Sequence, residues 1–139
     1  MSKTITLNFN GCYETKDLPT KDYQCSGIYI VYAGKPTENN GCNLTKLLYI
    51  GESENVGSRP GKTHESYKEW CSYLEDGEKL FYTFSKVSGS DREQAEAALI
   101  FHHQPPCNEQ NTESFDYSET RIIITGVDEF LDTDFTEPS

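Results

Sequence analysis

The sequence predicts an α+β domain, with a small, mostly antiparallel central sheet (three core strands plus extra strands) flanked by helices. Three observations predict it. Runs of β-branched and aromatic residues recur at Thr4–Asn10, Ser26–Gly34, Lys46–Gly51, Lys79–Val87 and Glu119–Gly126. Two helical stretches, Glu65–Glu75 and Ser90–His103, lie between them. Strand and helix alternate too irregularly for a parallel doubly wound sheet. The length, 139 residues, suits a single domain, 1–139.

The elements follow in order. "TITLNFN" (Thr4–Asn10) alternates as a half-buried strand does. "SGIYIVYAG" (Ser26–Gly34) is β-branched and aromatic between glycines, "KPTENNGCN" (Lys35–Asn43) is turn chemistry, and "KLLYIG" (Lys46–Gly51) is the next strand. These two strands form an antiparallel hairpin with a long loop. After Gly51, Ser53 or Glu54 opens a helical turn carrying Asn55, Val56 and Arg59, and Pro60-Gly61 interrupts it. In Glu65–Glu75, Tyr67, Trp70, Cys71 and Leu74 recur at i, i+3, i+4 and i+7, an apolar stripe read as core. "KLFYTFSKV" (Lys79–Val87) is a further strand. Ser90 and Glu93 make a capping box for the next helix, and Pro105-Pro106 stops it. "ETRIIITG" (Glu119–Gly126) is a late strand beside the N-terminal one. The tail after Asp128 is either loose or a short helix around Glu129–Leu131.

Composition excludes several classes. No apolar run approaches the ~20 residues of a membrane span, and the N-terminus lacks a signal-like stretch, so the chain reads as soluble and cytoplasmic. The five cysteines are odd in number, irregularly spaced and without C-x-x-C, which speaks against a disulfide framework or a zinc site. "HHQPPC" (His102–Cys107) offers soft ligands, or simply two histidines closing a helix at its negative dipole end. The net charge of −11 argues against passive nucleic-acid binding. That charge is uneven: residues 111–139 hold eight acids and one base. An acidic surface or tail of this kind suits a basic protein partner.

Glu96 lies in the capped helix with Leu99 and Ile100 at i+3 and i+4. A carboxylate there needs a partner, or it marks the boundary of the packed face. Tyr29 in "GIY" and Tyr49 in "YIG" each read alone as strand packing. Together they begin an ordered series: "GIY" (Gly27–Tyr29), "YIG" (Tyr49–Gly51), "YIGESENVGSR" with Asn55 and Arg59, "EAALI" (Glu96–Ile100) and "PPCN" (Pro105–Asn108).

That series resembles the GIY-YIG nuclease superfamily, which includes the nuclease domain of the bacterial excision-repair enzyme, homing endonucleases and some restriction enzymes. The resemblance covers about residues 26–111, leaving 112–139 as an acidic extension. It implies a GIY-YIG-like three-stranded antiparallel core sheet with helices around it, and Mg²⁺- or Mn²⁺-dependent cleavage of phosphodiester bonds in DNA. By resemblance, Glu96 matches the single metal-binding glutamate and Arg59 the arginine on the scissile phosphate. Tyr29 and Tyr49 match the two active-site tyrosines, and Asn108 matches an asparagine supporting the site. His64, one place beyond the helical-turn position, is either a second base or phosphate contact or a surface histidine. Many members carry Lys or Arg after "YIG", where this chain has Glu52, and their arginine-bearing helix is not cut by Pro-Gly. Nothing in the sequence gives Glu52, Glu54 and Pro60 a role. The alternative is a binding protein without catalysis, whose acidic surface contacts a protein partner.

Overall fold

The computed structural model of the chain describes residues 2–39 and 41–138. Six strands form one sheet: β1 (Lys3–Glu14), β2 (Gly27–Pro36), β3 (Cys42–Ser53), β4 (Lys79–Lys86), β5 (Thr120–Gly126) and β6 (Asp134–Glu137). Two α-helices accompany them, α1 (Tyr67–Ser72) and α2 (Arg92–His103). The strand order is β3-β2-β4-β1-β5-β6. All neighbours are antiparallel except β1 and β5, which run parallel.

This corrects the expected helix-flanked α+β arrangement. The molecule is mostly sheet, a mixed six-stranded curled half-barrel with two helices. The physical reason lies in the strands outside the hairpin. β1 is twelve residues long and bonds to β4 on one side and β5 on the other, and β6 then adds to β5. The ladder is irregular between Asn10 and Tyr13, Val31 and Tyr32, and Ala33 and Gly34. Such bulges raise local twist and bend a sheet.

The period-2 alternation of β2 sends its side chains into two cores. Ile28, Ile30 and Tyr32 join Leu7, Phe9, Ile122 and the Ala95/Leu99 face of α2. Tyr29, Val31 and Ala33 join Trp70, Tyr82 and Phe84 on the other side. With both faces covered, β2 is buried from Gly27 through Gly34.

Several local expectations change. α1 is six residues long, yet its Trp70 is fully buried, with Tyr67, Cys71 and Leu74 packed beside the same core. The capping box does not form: α2 begins at Arg92 with Asp91 at the N-cap position and no side-chain cap bond. The connection after β2 spans 37–41, of which Asn40 lies outside the described residues. Cys12 and Cys42 are disulfide-bonded, against the expectation from cysteine spacing; both pack against the same core, a proximity that spacing does not encode. The acidic tail is neither loose nor helical. It turns at Asp128–Leu131 and forms β6, where Arg121 pairs with Asp134, and His102 bonds both Asp132 and Glu137. Among the described residues no helix is long and apolar enough to cross a membrane.

Candidate active site

A cleft of about 390 Å³ opens beside β3, the edge strand. Tyr29, Tyr49, Arg59, Glu96 and Asn108 all line it. They come from β2, β3, the segment after β3, α2 and the turn after α2. Among the described residues none beyond Asn111 lines it, although Tyr117 of the extension lies within reach of the charges of Glu93 and Glu96.

Tyr29 reaches the cleft by crossing β3. It is the direct register partner of Gly51, and a Cβ at Gly51 would overlap the Tyr29 ring. The glycine after Tyr49-Ile50 is therefore a window for a side chain from the neighbouring strand. Gly51→Ala is expected to push the Tyr29 ring aside and cost about 2 kcal/mol of stability. Thermal unfolding measures this, and an unchanged midpoint would refute the window.

Behind Tyr29 sits His64, only 4% exposed and packed against Trp70 at 4.5 Å between ring centroids. The Ser66 backbone N–H donates to His64 Nδ1 at 3.0 Å. Nδ1 is thus the unprotonated nitrogen of a neutral ring, and Nε2–H donates to the Tyr29 hydroxyl oxygen at 2.9 Å. Burial lowers the His64 pKa to about 4, with Arg59 acting in the same direction, which keeps the ring neutral at pH 7. His64 does not line the cleft. It is not the surface histidine the sequence allowed: it is buried behind the cleft wall, with its ring bonded to the Tyr29 hydroxyl.

Pro60 and Gly61 put His64 there. The chain leaves β3 through a single 3-10 turn, Val56–Ser58. Pro60 is buried, and Gly61 takes φ +113°, a value L residues rarely adopt. The reversal is closed by the His64 N–H donating to the Gly61 carbonyl at 3.0 Å. A continuous helix would carry His64 away from Tyr29.

Arg59 donates from Nη1 and Nη2 to the two carboxylate oxygens of Glu65, at 3.1 and 2.6 Å. This lowers the Glu65 pKa to about 2. Burial raises both Tyr29 and Tyr49 above the usual phenol value. Both tyrosines therefore carry their protons at neutral pH.

Asn108 supports the site through the backbone. Its side-chain amide donates to the Ile50 carbonyl and accepts from the Ile50 N–H, each at 2.9 Å, imitating a further strand on the open edge of β3. Next to it the Cys107 N–H bonds the Leu48 carbonyl. Asn108→Ala leaves both polar groups of buried Ile50 without partners. A loss of about 2 kcal/mol is expected in denaturant unfolding, and no loss would show that water replaces the amide.

Glu96 is partly buried at the cleft floor. Burial, then the charges of Glu52 and Glu93, push its carboxyl up to about 8. The sequence reading missed Arg92, one turn before Glu96 on α2. Its Nε bonds Glu52, its Nη1 bonds Ser26 Oγ at 3.0 Å, and Nη2 lies 3.9 Å from Glu54. Glu52 thus pairs with a half-buried arginine on another element, and the exposed Glu54 lies beside it. The signal was present: a reversed charge after "YIG" and an arginine four residues before Glu96.

Among the described residues no group of three or more His, Cys, Asp or Glu is placed to hold a metal. Glu96 can give a divalent cation one protein oxygen, leaving the rest of the shell to water and phosphate. That donor set fits Mg²⁺ or Mn²⁺ and not a structural zinc. A cation there would also stabilise the ionised form that burial disfavours. No family model, no curated protein and no solved structure matches this chain.

Proposed function

We propose that the chain is a metal-dependent endonuclease that hydrolyses phosphodiester bonds in DNA by a GIY-YIG-type, single-metal mechanism. One observation carries the reading: Tyr29, Tyr49, Arg59, Glu96 and Asn108, the residues of the ordered motif series, line one cleft although they span eighty positions of the chain.

Each side chain has a task in that reaction. Hydrolysis joins a water oxygen to phosphorus and breaks the bond to the leaving oxygen, with negative charge growing on the phosphoryl group. Arg59 presents a planar pair of donors to that charge. Tyr29 orients the attacking water. Its oxygen already accepts a hydrogen bond from His64 Nε2–H, which favours the phenolate when the proton leaves. That proton passes to bulk water; burial, then Tyr49, oppose its loss, Arg59 eases it and Glu96 opposes it further. Glu96 would hold the divalent cation, which would supply charge stabilisation for the phosphoryl group and offset the carboxylate's effect on Tyr29. Tyr49, stacked on Tyr29 at 6.1 Å between ring centroids, lines the cleft beside it. Asn108 keeps the Tyr49-Ile50-Gly51 edge in place.

The test is supercoiled plasmid incubated with Mg²⁺ or Mn²⁺. Nicked circles are expected with metal and none with EDTA. Intact plasmid across metals and substrates would remove the reading.

A second reading keeps the cleft and drops catalysis. Glu52, Glu65, Glu69, Glu96 and Glu109 surround a single arginine, and such a rim suits a basic peptide. Binding of a lysine-rich peptide, with no thermal response to Mg²⁺ or Mn²⁺, would favour it.

A further inference from the structure

The Arg59–Glu65 pair has a geometry that the proposed chemistry does not require. The guanidinium uses two nitrogens on the two oxygens of one carboxylate. Two non-bridging oxygens of a phosphodiester would take the same two donors in the same plane. Both residues line the cleft. Glu65 lies just ahead of α1, and its side chain is 69% exposed. It can swing into solvent by rotating its own bonds, with no shift of backbone.

We infer that Glu65 is a built-in competitor for the phosphate subsite, a carboxylate that occupies Arg59 until a polyanion displaces it. This rests on the reading that the cleft accepts a nucleic-acid phosphate. The pair sets a threshold: a simple monoanion exchanges one charge for another and gains little. A DNA backbone brings several phosphates and their cations, and the exchange becomes favourable. Glu65 therefore selects for polymeric over monomeric phosphate.

The neighbouring Glu69 provides the control. It lines the same cleft, has the same charge, is exposed, and lies one turn further along the chain. Among the described residues, Arg59 shows hydrogen bonds to Glu65 and none to Glu69. Removing either charge changes the local field alike, while removing Glu65 alone frees Arg59.

The experiment is fluorescence anisotropy with a fluorescein-labelled DNA duplex of about 20 base pairs, in Ca²⁺ to hold back cleavage. It compares wild type, Glu65→Gln, Glu69→Gln, Arg59→Ala and the Arg59→Ala/Glu65→Gln double variant. Glu65→Gln is expected to bind roughly fivefold more tightly than wild type. Glu69→Gln is expected to gain less than twofold, and the double variant to lose the Glu65→Gln gain. In the same assay, inorganic phosphate is expected to compete better against Glu65→Gln than against wild type. Equal gains from Glu65→Gln and Glu69→Gln would mean only net charge matters and would overturn the inference. Weaker binding by Glu65→Gln would also overturn it, since Glu65 would then be orienting Arg59. The functional reading fails separately, when Arg59→Ala binds DNA like wild type and no nicking occurs.

Discussion

Glu96→Gln is expected to reduce metal-dependent nicking by roughly a thousandfold or more and to stabilise the folded chain at pH 8. The two effects share one cause. The cleft buries this carboxyl beside Glu52, which raises its pKa from the ordinary 4.5 to about 8. A group whose folded pKa is raised contributes stability that is fully present below its unfolded pKa. That stability is lost as pH rises through the folded value. Wild type should therefore weaken between about pH 4.5 and pH 8.

His64 acts in the opposite sense. Its folded pKa is lowered from 6.5 to about 4, so its contribution is present above 6.5 and is lost as pH falls through 4. The two slopes oppose each other between pH 4.5 and 6.5. From 6.5 to 8 only the Glu96 slope remains, on the order of 2 kcal/mol across the window. Thermal midpoints in EDTA are expected to fall over that range for wild type and to stay level for Glu96→Gln. Millimolar Mg²⁺ should restore the wild-type midpoint at pH 8 and leave the variant unmoved. Parallel pH profiles, or equal nicking, would remove Glu96 from its assigned place.

Arg59→Lys is expected to slow nicking about a hundredfold while changing KM only a few-fold. Lysine keeps the positive charge, so ground-state attraction to DNA largely persists. It lacks the planar pair of donors that would hold two phosphoryl oxygens as charge builds on them. The exposed Arg59–Glu65 pair contributes under about 1 kcal/mol to stability, so unfolding should barely move. Steady-state kinetics on plasmid separates the cases: a raised KM with unchanged turnover would make Arg59 a docking charge only.

The residues that meet in the cleft were more legible in the sequence than the fold around them. The motif series is carried by residues whose identity matters at one position each: a glycine under an aromatic ring, a tyrosine at a strand end, one arginine, one glutamate. Such residues stand out in a linear reading, and each of Tyr29, Tyr49, Arg59, Glu96 and Asn108 reaches the same cleft. His64 could be named but not placed. Its part depends on the Gly61 backbone and on which ring nitrogen faces the Ser66 N–H. Arg92 was passed over because its partners, Glu52 and Ser26, lie 40 and 66 positions away.

The sheet was the larger surprise. Alternation in Thr4–Asn10 and the apolar run in Glu119–Gly126 gave two strands side by side, as β1 and β5 are, but not the pairing of β1 with β4 or of β5 with β6. Period 2 reports which face of a strand is buried, and carries no information about which strand lies at its edge. The Cys12–Cys42 bond and the return of the tail as β6 are decisions of that kind.

The sequence by itself determined five of the six strands and both helices within a few residues at most ends, the apolar stripe around Trp70, and the residue types of the candidate site. These depend on side-chain period, turn chemistry and motif order, all local along the chain. Only the tertiary structure decided the six-strand order, the half-barrel curl, the Arg92 partnership of Glu52 and Glu54, and the Arg59–Glu65 pair. Each is a contact between side chains or backbone edges from separate segments. Its energy depends on distance and burial, which exist only once the chain has closed on itself.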